Sequence, residues 1–205
     1  IDITKLNLLN KFFRDLYREK IKVDCLINNA DINNTFNNLN KSFRIEKLNI
    51  SYWKKHIDLG LTANFILSSL YYTYLLKNNY TGSIINISSD LGIISPDNRL
   101  YERKGISARD QNVKPVSYSC VKHGLIGITK YFSTYNTKIL RCNAVALGGL
   151  KANNESFEKK ISKLIPLNRM AYPEEYITTI QYLLSPNTSY LNGTTIIVDG
   201  GRTII

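Results

Sequence analysis

Histidine is nearly absent from this 205-residue sequence, which holds only His56 and His123. Two imidazoles so far apart argue against a histidine-built metal centre, and no metal is expected. Cysteine is scarce as well. Cys25, Cys120 and Cys142 are odd in number, widely spaced and set in apolar segments. They read as small thiols in a reducing cytoplasm, not as a disulfide frame or a zinc site. Long apolar runs are also missing: the longest, 65–76, is broken by Ser68, Ser69 and Thr73 and is too short to span a bilayer. Residues 1–20 form a charged amphipathic segment with no signal-peptide pattern. Although the net charge is +11, there is no long basic run. Scattered lysines argue against nucleic acid as a partner. They leave two readings, the Asn-Lys-Ile-Tyr bias of an AT-rich coding sequence and attraction of an anionic small substrate.

What is present suits one globular domain with a sizeable core: 43% hydrophobic and 21% charged residues. Residues 2–4 read as the tail of a strand feeding a helix that Thr4 caps and Leu6, Leu9, Phe13 and Leu16 stripe. A short apolar run, 23–27, ends in Asn28-Asn29-Ala30 and predicts a buried strand with a polar exit. The Asn-rich stretch 31–47 predicts a loop. A long helix is expected from its cap at Ser51 to Leu76, carrying Trp53, Ile57, Leu61 and Phe65. A second buried strand follows at Gly82–Ser89, with hydroxyls at its end. Residues 91–115 show no periodicity and carry Arg99, Arg103, Lys104, Arg109 and Lys114. A stretch of this length without regular structure predicts an insert loop used as a lid or binding loop, or a solvated one. A strand over 139–147, helical patterns at 155–165 and from Pro173 to about Ser185, and a strand at 194–198 complete the chain. Strands alternating with helices predict a parallel sheet covered on both faces, with ligands outside the C-terminal strand ends.

Tyr118 is the only tyrosine of 14 with a lysine, Lys122, four positions on. On a helix the two stand one turn apart on one face. An ammonium about 4 Å from a phenol, at an effective dielectric near 20, favours the phenolate by about 4 kcal/mol. That is enough to bring a tyrosine toward general acid/base work near neutrality, before desolvation is counted. Gly124 and Gly127 on the same helix suggest that something packs very close.

Five segments in order then carry a likeness: Asn28-Asn29-Ala30-Asp31, the Ile-Asn-Ile-Ser-Ser strand ending at Ser89, Tyr118 with Lys122, the stretch from Arg141 to Gly148, and the closing GTTIIVDGG. On these the chain resembles the short-chain dehydrogenase/reductase family over nearly all its length. The resemblance implies a Rossmann-like, doubly wound parallel sheet flanked by helices, as one catalytic domain over 1–205 with the insert at 91–115. It implies an NAD(P)-dependent oxidoreductase interconverting a carbonyl and a secondary alcohol. Ser89, Tyr118 and Lys122 would be catalytic: Tyr118 exchanges the proton, Lys122 lowers its pKa and holds the nicotinamide ribose, and Ser89 donates to the substrate oxygen. Asp2, Asn28, Ala30, Gly148 and Leu150, with Tyr118 and Lys122, would contact NAD or NADP. A dimer or tetramer of identical chains is expected.

The likeness has departures. Such a fold opens with a βαβα portion whose Gly-rich turn cradles the pyrophosphate, and this chain begins after it, at Asp2, which resembles the family's aspartate near the adenine. Gly60 stands where the family usually has an asparagine in a proton relay, with Asn64 one turn on. Asp31 replaces a glycine, Leu147 a proline, and Ala152 a threonine that meets the cofactor amide. The insert, between SPDNRLY and KPVSYS, resembles a subgroup tied to flagellin-glycan and surface-polysaccharide modification, which implies a sugar or nucleotide-sugar substrate. Arg99, Arg103 and Arg109 would then pair with its phosphate or carboxylate. The alternatives are a 3-oxoacyl-carrier-protein reductase-like enzyme and a non-catalytic subunit of the same fold.

Overall fold

Short runs rich in Ile, Val and Leu form the strands. The two central ones are buried almost throughout. The two edge strands, including the run expected to be buried before Asn28, are only partly so, with Ile27 40% and Ile197 43% exposed. In the computed structural model, which describes residues 1–32, 43–47, 49–151 and 154–205, four such strands form one parallel sheet. They are β1 (Cys25–Asn28), β2 (Gly82–Ser89), β3 (Leu140–Leu147) and β4 (Thr195–Val198), in that spatial order. Asn28 pairs in register with Asn86, and Ser89 with Leu147, so the strand ends lie side by side.

The helices are α1 (Leu6–Arg18), α2 (Ile50–Ile57), α3 (Ala63–Asn78), α4 (Val116–Tyr135), α5 (Glu155–Ile161) and α6 (Pro173–Leu184). Successive β2 side chains point to opposite faces. Ile84 joins Phe13, Tyr71, Leu75 and Phe132 from α1, α3 and α4 on one face. Ile85 and Ile87 join Val145 and Leu183 of α6 on the other. The Rossmann-like layering implied by the sequence is therefore the observed one, with helices on both sides of the sheet.

Several local expectations are corrected. Residues 1–5 are not a strand tail; the Asp2 carboxylate accepts from the Thr4 amide and hydroxyl, and the helix begins after Lys5. Leu6 is 51% exposed and stands outside the apolar stripe of α1. The cap of α2 is Asn49, whose side chain accepts from the Tyr52 amide, not Ser51. The single long helix is split by a π turn, Asp58–Thr62, between α2 and α3. Gly124 does pack closely, since a Cβ there would lie 2.7 Å from Leu61 Cδ1, but Gly127 faces open space. The insert 91–115 is ordered around short 3-10 turns, including Asn98–Tyr101. Ala152 and most of the Asn-rich loop lie outside the described residues.

Candidate active site

Parallel strands end with their loops on one edge, which is where α/β sheets bind ligands. Strand β2 delivers Ser89 to that edge, and the insert returns the chain to α4, which carries Tyr118 on its first turn and Lys122 on its second. The Ser89 hydroxyl stands beside the Tyr118 phenol and stabilises its ionised form. It donates to Asp90 Oδ1 at 2.7 Å, while Ser89 Oγ accepts from the Leu91 amide at 3.2 Å. Lys122 Nζ lies 5.5 Å from the Tyr118 ring centre and donates to the Ile87 carbonyl at 3.0 Å. Ser89, Tyr118 and Lys122 are thus brought together.

Asp31 changes the electrostatics of this cluster. Its Oδ2 is 2.9 Å from Lys122 Nζ, with the two side chains only 10% and 7% exposed. The contact is an ion pair without hydrogen-bond geometry, because the same Oδ2 has no hydrogen-bond donor among the described residues. Asp31 Oδ1 is 2.9 Å from His56 Nε2, and His56 Nδ1 is 2.9 Å from Ser117 Oγ. A carboxylate only accepts, so it holds a proton on Nε2 of this fully buried ring.

The Gly60 departure has a structural counterpart. A Cβ at Gly60 would lie 2.7 Å from Val121 Cγ1 and 2.8 Å from Asp31 Oδ1. The Asp31 carboxylate fills the space a side chain at 60 would need. Asn64 does not reach Lys122; it is buried and donates from Nδ2 to the Gly60 carbonyl at 2.7 Å, tying down the π turn.

These charges set the acidities. Burial lifts the Asp31 carboxyl, but His56 and Lys122 outweigh it and hold it below the usual carboxylate range. Burial pushes the Tyr118 phenol up to about 12; the Ser89 hydrogen bond opposes this, and the charges of Asp31 and Asp90 add to it. The lowering expected from Lys122 does not prevail against this burial, and its ammonium is paired with Asp31. A second ammonium sits closer to the tyrosine. Lys114 Nζ lies 3.7 Å above the Tyr118 ring centre, and burial lowers this lysine to about 8.

The remaining sequence candidates fall in different places. Asn28 is buried, its amide donating to Ser68 Oγ at 2.9 Å and Asn86 Oδ1 at 2.8 Å. Ala30 and Leu150 are exposed at the ends of β1 and β3, on either side of β2. Gly148 is held against β4, its amide donating to the Val198 carbonyl at 2.8 Å. Asp2 is exposed beside Thr4. In the insert, Arg99 clamps Asp97 through Nε at 2.9 Å and Nη2 at 2.7 Å. The Arg103 backbone is bracketed by the Gln111 amide, and Arg109 is exposed. None of the three is among the charges that weigh most on Tyr118 or Lys114. Sequence reading missed His56, Asp90, Arg202 and Lys114 as parts of the site. Lys114 alone had a sequence signal: it precedes Tyr118 by the same four residues that separate Tyr118 from Lys122.

A family model described as enoyl-(acyl carrier protein) reductase matches residues 1–203. The chain belongs to the short-chain dehydrogenase/reductase family. A 3-oxoacyl-[acyl-carrier-protein] reductase FabG of Rickettsia felis is 34% identical over 206 residues, 97% of this chain and 76% of its own length. The FabG of Aquifex aeolicus is 30% identical over 199 residues, 94% of this chain and 71% of its own. A short-chain dehydrogenase of Leptospira borgpetersenii, solved with bound NAD+, superposes with a TM-score of 0.86 at 27% identity. It covers 99% of this chain, which in turn covers 74% of it. The family is one of oxidoreductases that use NAD(P).

The described residues fit the nicotinamide end of such a dinucleotide. A buried ammonium, Lys122, reaches the Ile87 carbonyl of β2 near the Tyr118 phenol, and the neighbouring strands β1 and β3 are followed by two exposed apolar positions, Ala30 and Leu150. No described helix is long and apolar enough to cross a membrane, and no described cluster of His, Cys, Asp or Glu is arranged to hold a metal.

Proposed function

We propose that this chain carries the catalytic site of an oxidoreductase interconverting a small-molecule carbonyl and a secondary alcohol, with a sugar or nucleotide-sugar intermediate as substrate. The observation that carries the reading is the meeting of Ser89, Tyr118 and Lys122 at the end of β2. NAD or NADP supplies or takes up the hydride; Asp2, Asn28, Ala30, Gly148 and Leu150, with Tyr118 and Lys122, are the residues proposed to hold it. Tyr118 Oη gives its proton to the substrate oxygen in reduction and takes it back in oxidation. The Ser89 hydroxyl turns from Asp90 to donate to that oxygen, where charge develops. Lys122 neutralises Asp31, whose charge would otherwise weigh further against the phenolate when Tyr118 has lost its proton, and holds the nicotinamide ribose. Arg99, Arg103 and Arg109 belong to the proposal as long-range attraction for an anionic substrate, read from how KM changes with ionic strength.

The two FabG relatives favour a second reading, a 3-oxoacyl-carrier-protein reductase-like enzyme. Assembly as a dimer or tetramer is part of the proposal; light scattering showing only monomer would remove it. A reducing cytoplasm suits the three free thiols.

Tyr118→Phe tests the central assignment. Turnover should fall by roughly 100-fold or more, the scale of general acid/base contributions. Nicotinamide binding, followed by fluorescence, should stay near the parent value. A variant keeping most of its turnover would remove Tyr118 as the proton-exchanging group.

A further inference from the structure

Four charged side chains act on Lys114 beside Tyr118: Lys122 and Arg202, and against them Asp31 and Asp90. Two pairs close among them. Lys122 sits on Asp31, and Arg202 is hydrogen-bonded to Asp90, with both members of each pair nearly inaccessible to water. Lys114 is left over. Its ammonium faces the Tyr118 ring at 3.7 Å and has no carboxylate partner or hydrogen-bond acceptor among the described residues. Burying an ammonium without an anion is unfavourable, and the face of a tyrosine offsets only part of that cost. The backbone holds the lysine there: its amide donates to Asn98 Oδ1 at 3.3 Å, and buried Pro115 follows before α4 starts.

We infer that Lys114 binds a carboxylate carried by the substrate close to its reacting carbon. The inference rests on the oxidoreductase reading above and names the substrate class for that site. Three cations against two anions leave a single positive charge, which matches a monoanion; a dianionic phosphate would face Asp31 and Asp90 with too little compensation. Proximity sets the second condition. An ammonium over the ring whose hydroxyl exchanges the proton requires that carboxylate and reacting carbon be near neighbours on one small molecule. A hydroxy acid or oxo acid meets both conditions. The thioester of an acyl-carrier-protein substrate, which is neutral, does not.

A pair of probes differing only in charge tests this: 3-hydroxybutyrate and its methyl ester, oxidised with NAD+ and with NADP+ by the full-length protein. A second readout needs no turnover: saturation-transfer NMR of each probe with the same protein. The parent should bind and oxidise the acid in preference to the ester. Lys114→Met should raise KM for the acid roughly ten- to hundredfold, the weight of a charge-assisted hydrogen bond, and abolish its NMR signal. KM for the ester should change less than threefold, whatever happens to its kcat, and the exposed-loop control Lys104→Ala should leave both probes unaltered. Lys114 is half-buried with no ion-pair partner among the described residues, so its removal should not lower Tm, and loss of fold will not imitate the effect. Equal handling of acid and ester by the parent would overturn the inference, as would no response to the acid by either readout. A Lys114→Met variant whose ester oxidation shifts in pH profile while KM for the acid stays put would also overturn it, assigning Lys114 to tuning Tyr118. Ester turnover without acid preference would leave the oxidoreductase reading standing. Acid binding lost in Lys114→Met, with no turnover of either probe, would support the carboxylate site and remove that reading.

Discussion

Asp31 holds the most consequential single charge in the site. It occupies the space beside Gly60, pairs with Lys122 and orients His56, so three positions depend on one carboxylate. Its negative charge also helps keep the Tyr118 phenol up near 12. Asp31→Asn removes that charge and frees the Lys122 ammonium to act on the phenol. Both changes favour phenolate, so the Tyr118 pKa should fall. In the oxidation direction, where Tyr118 must accept a proton, the rising limb of kcat/KM should move to lower pH. A pH–rate profile that stays put, or moves upward, would show that Asp31 does not set the acidity of Tyr118. The sign for folding is opposite. The Asp31 carboxyl lies below its ordinary value, so its pairing stabilises the fold above about pH 4 and that contribution is lost as pH falls through the lowered value.

At the scale of elements, α4 shows how one helix serves packing and chemistry together. Val121, Leu125 and Phe132 are buried in the core, while Lys122, buried as well, reaches the Ile87 carbonyl and Tyr118 stands beside Ser89. Its two glycines are not equivalent. Gly124 lies against Leu61, and an added methyl 2.7 Å from Cδ1 forces a shift. Gly127 meets nothing within 4 Å, so there the glycine contributes only its unfavourable backbone entropy. Gly127→Ala should therefore stabilise the protein by roughly 1 kcal/mol, and Gly124→Ala should destabilise it by about 1–3 kcal/mol. Chemical denaturation of the two variants checks both signs, and equal shifts would contradict the packing described. The π turn Asp58–Thr62 belongs to the same contact: it brings Leu61 against Gly124 and presents the Gly60 carbonyl to Asn64.

Across the whole molecule, the chain end is tied back to the catalytic edge. Arg202, four residues beyond β4, is buried against Asp90, which follows β2 directly. Removing one member of a buried ion pair leaves the other desolvated without compensation, typically at about 3–5 kcal/mol. Arg202→Met should lose stability on that scale by thermal or chemical unfolding. Because Asp90 also accepts from Ser89, the same variant should disturb the serine beside Tyr118. A loss below about 1 kcal/mol would mean that Asp90 finds water or another cation, as an exposed pair would.

Strand and helix order were legible in the sequence because apolar period and turn residues are local properties. The Gly82–Ser89 strand, written in contiguous residues, appears with those bounds, and Tyr118, Lys122, Gly124 and Gly127 lie on one helix as expected, Val116–Tyr135. The Tyr118–Lys122 pairing was legible for the same reason: four residues on a helix fix a common face. Element ends were less so, since capping depends on which side chain the backbone happens to meet, as Asn49 does in place of Ser51. The charge pairs of the site belong to tertiary structure alone. His56 and Asp31 are 25 positions apart, and Arg202 and Asp90 are 112 apart. No local pattern marks which lysine will find a carboxylate and which will be left over a tyrosine ring. Sequence determined the presence of the serine, tyrosine and lysine; packing decided that Asp31 takes the charge of Lys122 and that Lys114 keeps its own.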